Sequence, residues 1–168
     1  LIQQQMISAR EGALVIQTAN CAYETMNTAD ICELGKYIKN IRNKNCALFI
    51  WCTMPCLPEV FKVIDAWGFK YKTCAFTWIK TKKDGTPLSG MGSYTKANAE
   101  LCLLAMRGHI KSVDKTIPQV LMPPRQGHSV KPDEIMRRIE RLFGPNTKKI
   151  ELFARRTVDG WDRWGDEA

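Results

Sequence analysis

Two histidines, no Cys-x-x-Cys pair and no apolar run near the roughly 20 residues of a membrane span set the first limits on this chain. A zinc set cannot be completed from so few histidines without paired cysteines, so no metal is expected. The seven cysteines are odd in number and sit mostly inside apolar runs, which reads as reduced core thiols. His109 and His128 stand apart from any Ser, Cys or Asp arrangement, which excludes a nucleophilic hydrolase. The segment Leu1-Ile2-Gln3-Gln4-Gln5 lacks the basic, apolar, small-residue order of a signal peptide, so the expectation is an intracellular protein with no membrane partner. Neither an internal repeat nor a second domain can be found.

Acidic residues are also scarce: 17 against 25 Lys and Arg, a formal net charge of +8. A cationic surface gains free energy by releasing counterions from a phosphate backbone, which points to nucleic acid. A solvated basic surface without a partner accounts for the same charge. At 168 residues and 45% hydrophobic, the chain is long enough to bury one core, and residues 1–168 are expected to form a single domain.

The patterning alternates strands with amphipathic helices. Ala13 to Ile16 is a short β-branched run that reads as a buried strand, after which Thr28 is placed to cap a helix over Ala29 to Ile41. Cys46 to Cys52 is a second apolar strand; Thr53 is the candidate cap of a helix whose Leu57, Val60, Phe61, Ile64 and Trp67 recur at helical spacing before Gly68. Tyr71 to Lys80 and Glu100 to Met106 read as strands, and the long glycine-rich segment Lys82 to Ser93 between them as a functional or disordered loop. Ile117 to Met122 fits a short edge strand bounded by Pro118 and Pro123, and Pro132 marks the start of a helix with Ile135, Ile139 and Leu142 inward. A last strand spans Ile150 to Phe153. This order predicts an α/β doubly wound sheet with ligands at the carboxyl ends of its strands.

Four stretches carry more specific information: Asn45-Cys46-Ala47-Leu48-Phe49-Ile50-Trp51, Ala66-Trp67-Gly68-Phe69, His128-Ser129-Val130-Lys131-Pro132-Asp133-Glu134, and the run from Lys149 through Phe153 and Arg156 to Trp164-Gly165. Together with Tyr23-Glu24-Thr25-Met26 they resemble the MT-A70 family of S-adenosylmethionine-dependent N6-adenine methyltransferases, from about Tyr23 to the C-terminus. The resemblance implies a Rossmann-like, mostly parallel sheet of the class I methyltransferase type, with helices on both faces and a permuted motif order. It also implies S-adenosyl-L-methionine as cofactor. Lys131 then corresponds to the lysine that reaches the cofactor carboxylate, Phe153 and Arg155 to the strand end under its ribose and adenine, and Asp166 with Glu167 to the groups on the ribose hydroxyls. Glu151 is expected to face a structural partner. Asp166 stands where the family commonly has an amide; it can accept a hydrogen bond but cannot donate one. Tyr23, Trp51 and Trp78 resemble the positions near the target base, although core packing is the commoner fate of strand tryptophans. Lys82 and Lys83, with Lys80, Lys96 and Arg107, are expected to surround the glycine-rich loop and grip phosphates; solvation of a mobile loop is the plainer reading.

One element is missing. The family's Asp-Pro-Pro-Trp tetrapeptide, which accepts hydrogen bonds from the exocyclic amine and stacks on the base, does not occur here, and Pro123-Pro124 is no substitute because Met122 precedes it. No catalytic residue is therefore assigned. The strand at Ala13 runs through Thr18 to Ala22 into Tyr23, so the gap falls at one place. Either a catalytic loop belongs there and the chain is interrupted, or the chain is a subunit that never had it. The resemblance leads to methyl transfer to N6 of adenine in nucleic acid, DNA favoured over RNA. The alternatives are a catalytically inactive subunit that binds nucleic acid or scaffolds an active partner, in a homo- or hetero-oligomer, and a basic nucleotide-binding module.

Overall fold

A computed structural model describes residues 3–5, 12–17, 26–90, 92, 94–125, 130–154 and 156–165. The expected interruption at 18–22 lies outside them, as do Tyr23, Arg155, Asp166 and Glu167. In chain order the elements are β1 (Gln3–Gln5), β2 (Gly12–Gln17), α1 (Thr28–Glu33), α2 (Gly35–Ile41), β3 (Cys46–Cys52), a single 3₁₀ turn (Met54–Cys56), α3 (Leu57–Ala66), β4 (Lys70–Ile79), β5 (Ala99–Arg107), β6 (Val120–Leu121), α4 (Glu134–Phe143), β7 (Lys149–Leu152) and β8 (Asp162–Trp164). No helix among the described residues is long and apolar enough to cross a membrane.

The strands form one sheet in the order β6-β4-β5-β3-β2-β7-β8, with β1 paired to β2. Pairings β2–β3, β2–β7, β4–β6 and β7–β8 are parallel; β3–β5, β4–β5 and β1–β2 are antiparallel. The class is α/β as expected, but the sheet is mixed, because β5 runs against both neighbours. This follows from the β4–β5 connection, residues 80–98, whose described residues include no crossover helix to keep the strands parallel.

All seven residues of β3 are buried, which explains its unbroken apolar sequence: it is covered on both faces. Cys46, Leu48, Ile50 and Cys52 pack with Ile31, Ile38, Val60, Val63, Ile64 and Trp67 of α1 to α3, whereas Ala47, Phe49 and Trp51 pack with Ile135, Met136, Ile139 and Phe143 of α4. Helices thus lie on both faces. Cys46, Cys52 and Cys102 are buried thiols; burial pushes the Cys46 and Cys52 thiols up to about 12, leaving them inert near neutral pH.

Several boundaries differ from the sequence reading for local reasons. Asn27, not Thr28, caps the first helix, its Oδ1 accepting from the Asp30 amide at 2.9 Å. That helix also breaks at Leu34, where Gly35 comes so close to α3 that a Cβ would stand 2.9 Å from the Ala66 carbonyl oxygen. In α3 the inward set includes Val63, while Phe61 is exposed and lies edge-on to Tyr71. In α4, Met136 and Phe143 join Ile135 and Ile139, and Leu142 is only partly buried. The last strand stops at Leu152 because Phe153 turns into the left-handed region, at φ 55°. The bend expected at residues 160–165 contains β8, paired parallel to β7.

Phe49 is a suitable probe of the α4-side core, since its ring stacks on Phe76 at 6.0 Å and meets Phe143 edge-on at 5.9 Å. Phe49→Ala should lower unfolding free energy by about 3–5 kcal/mol, read as a lower urea midpoint with an unchanged slope.

Candidate cofactor and substrate site

The ends of β3, β4, β7 and β8 and the start of antiparallel β5 share one edge of the sheet, the carboxyl edge where open α/β sheets bind ligands. At its centre Glu100, the first charged residue of β5, accepts two ammonium groups. Lys80 Nζ lies 2.5 Å from Glu100 Oε1 and Lys131 Nζ lies 2.9 Å from Oε2. Glu100 and Lys131 are 6% and 4% exposed, so this is a buried ion cluster and not a surface pair. Burial opposes ionisation of Glu100, but the charges and hydrogen bonds of Lys131 and Lys80 outweigh it and hold the carboxyl below its ordinary range. Lys131 is also shifted below its ordinary value, because burial and the nearby Lys80 charge exceed the pull of Glu100. Glu100 thus has two ammonium partners.

Two tryptophans form the apolar side of the cluster. Lys131 Nζ sits 5.8 Å from the Trp51 ring centroid and Lys80 Nζ 5.4 Å from that of Trp78, cation–π distances that stabilise each ammonium out of water. The two rings meet edge-to-face at 6.4 Å. Trp78 Nε1 donates to the Pro123 carbonyl at 3.0 Å, and Thr81 Oγ1 to that of Met122 at 3.0 Å, which ties residues 122–125 to the end of β4. Trp51 Nε1 is buried and has no hydrogen-bond partner among the described residues.

The sequence-predicted residues are thus distributed unevenly. Trp51, Trp78 and Lys131 come together, but both rings are buried and Lys131 precedes the helix it was expected to open, since Asp133 is the cap of α4. Phe153 lies at the same edge, at the end of β7. Lys82 and Lys83 are exposed on a tight turn: the Lys82 amide donates to the Thr86 carbonyl at 2.8 Å, and Asp84 Oδ1 accepts from the Thr86 amide and hydroxyl at 2.9 and 2.7 Å. Arg107 does not belong to that group. It ends β5, eight residues beyond Ala99, and at about 3.4 Å per residue stands near the opposite edge. Glu100 was missed by the sequence reading; a carboxylate opening an otherwise apolar strand, Glu-Leu-Cys-Leu-Leu-Ala-Met, was the available signal.

A second buried carboxylate lies on β7. Glu151 is 4% exposed, and its Oε2 has no hydrogen bond among the described residues. Burial pushes its carboxyl up to about 7; Arg156 opposes the shift and Asp133 adds to it, while those two pair with each other. With a folded pKa above the unfolded one, this group's contribution is fully present below about pH 4.5 and is lost as pH rises through about 7. Unfolding free energy of the wild type should therefore fall between pH 5 and pH 8 by up to about 3 kcal/mol more than that of Glu151→Gln, checked by denaturant melts across that range.

The MT-A70 family profile matches residues 4–167. The chain is 33% identical over 156 residues to the type II methyltransferase M.MunI of Mycoplasma sp., covering 92% of this chain and 63% of the relative. It is 32% identical over 101 residues to the N6-methyladenosine RNA methyltransferase MTA1 of Cryphonectria parasitica, covering 60% of this chain and 30% of that protein. It is 30% identical over 111 residues to the N(6)-adenosine-methyltransferase catalytic subunit METTL3 of Homo sapiens, covering 64% and 19%. This chain spans less than two thirds of the length of each. With a profile match over nearly its whole length, the chain belongs to the MT-A70 family.

Proposed function

We propose that residues 1–168 form one methyltransferase domain that transfers a methyl group from S-adenosyl-L-methionine to N6 of adenine in nucleic acid, DNA in preference to RNA, inside the cell. The observation that carries this reading is the cationic cluster at the carboxyl edge of a sheet whose sequence matches the family throughout. The sheet itself is read as the doubly wound sheet of class I methyltransferases with its motifs permuted.

The residues present suit the cofactor. Its amino-acid end carries a carboxylate, and the Lys80–Glu100–Lys131 cluster brings two ammonium groups to the carboxyl edge. In this reading Lys131 meets that carboxylate, and Glu100 fixes where the ammonium sits. Phe153 flanks the nucleoside end, joined in this reading by Arg155, Asp166 and Glu167. The cofactor supplies an electrophilic methyl group; the chain's part is to orient it, exclude water and hold the target base. In this reading Trp51, Trp78 and Tyr23 belong to the target-base side of the pocket, and Lys82 with Lys83 meets the phosphates. Attack by the amine is direct, so no covalent enzyme intermediate is required.

A second reading has its own support. The sequence contains no Asp-Pro-Pro-Trp tetrapeptide, which favours a subunit that binds nucleic acid or scaffolds an active partner, related or identical to itself. Methyl transfer from labelled cofactor to adenine-containing DNA and RNA, followed by nucleoside analysis, separates the two. N6-methyladenine formed by the chain alone is the expected result; binding of both ligands without transfer selects the scaffold. Lys82→Ala with Lys83→Ala should flatten the dependence of log affinity on log salt by up to about two units and leave cofactor affinity unchanged.

A further inference from the structure

Of the five tryptophans, four are buried: Trp51, Trp67, Trp78 and Trp161 are 7% exposed or less, and each has core neighbours that account for it. Trp164 is 49% exposed and belongs to neither core cluster. It ends β8 on the carboxyl edge, in register with Leu152 at the end of β7. Its ring meets that of Phe153 edge-to-face at 5.1 Å and 81°.

The backbone beneath this pair is constrained. Phe153 is the one described non-glycine residue at positive φ, a conformation a bulky side chain avoids. Three contacts hold it there. The Ala154 amide donates to the Trp164 carbonyl at 3.0 Å, Gly165 lies so close that a Cβ would stand 2.7 Å from Ala154 N, and the Trp164 ring blocks one side of the Phe153 ring. Strain of this kind, maintained at a strand end on a ligand-binding edge, aims a side chain. The plain turn that Gly or Asn would make at residue 153 needs no aromatic clamp.

We infer that Trp164 is a binding residue of the cofactor pocket, its exposed indole and the Phe153 ring forming an aromatic corner that receives the adenine ring of S-adenosylmethionine. This rests on the methyltransferase reading and adds to it a residue outside the positions that the family resemblance assigns. A flat heterocycle seated in the corner gains stacking on one ring and edge contact with the other, at little ordering cost because the two rings already fix each other.

The test uses S-adenosylhomocysteine and, separately, adenosine as probes, with affinity by calorimetry and emission excited at 295 nm, about the wavelength selective for tryptophan. Trp164→Ala should weaken S-adenosylhomocysteine binding about 10-fold or more and Trp164→Phe about threefold or less, as expected for loss or retention of a stacking face. Both probes should quench wild-type emission, and that quenching should fall to about half or less in Trp164→Phe, where only the buried tryptophans remain. Should Trp164→Ala fail to melt as a folded protein, the Trp164→Phe emission result decides. Affinity of folded Trp164→Ala equal to that of the wild type, or quenching undiminished in Trp164→Phe, overturns the inference alone. A wild type that binds neither probe overturns the methyltransferase reading and this inference with it.

Discussion

Everything at the carboxyl edge depends on one buried carboxylate. Glu100 stands where β5 begins, between the end of β4, which brings Lys80, and the segment before α4, which brings Lys131. Without it, two ammonium groups would face each other across the Trp51 and Trp78 rings in a space from which water is largely excluded, and at least one would have to move or lose its proton. With it, the lysines are held in fixed places. The hydrogen bonds from Trp78 and Thr81 to residues 122–123 then extend the same anchoring to the strand that enters α4.

A buried ion cluster of this kind is weak evidence for stability. Taking Glu100 and Lys131 out of water costs about as much as their attraction returns, and an apolar replacement of the same shape can be the more stable choice. Its value is positional. A cation whose place is fixed before a ligand arrives needs no rearrangement to meet an anionic group, which is the property a cofactor site requires. Glu151, buried with one oxygen unpaired and its carboxyl raised to about 7, and Phe153, held at positive φ, are two further local costs on the same edge.

Much of this arrangement could be read from the residues. The unbroken apolar run of Cys46 to Cys52 located β3 to the residue, and the repeat of Ile135 and Ile139 gave the inward face of α4. What escaped depended on distances across the sheet. Arg107 appears beside the glycine-rich loop when the sequence is read linearly, but the whole length of β5 separates them. Lys131 reads as a helix opener because Pro132 follows it; the helix waits for Asp133, and Lys131 turns into the core to meet a carboxylate 31 positions earlier, a pairing that no local pattern encodes. The antiparallel course of β5 and the existence of β8 likewise follow from tertiary pairing and not from propensity.

The claim that Glu100 organises the edge is tested most directly by a double-mutant cycle on Glu100→Gln and Lys131→Met, with unfolding free energies measured in denaturant at pH 7. Glu100→Gln removes the carboxylate between two ammonium groups and should cost about 3–5 kcal/mol, whereas Lys131→Met leaves Glu100 paired with Lys80 and should cost less. The double variant strands neither partner of that pair and should be more stable than the sum of the single losses allows, by about 2 kcal/mol or more. Additive losses, within about 0.5 kcal/mol, would show that the two groups do not act as a unit and would contradict the account.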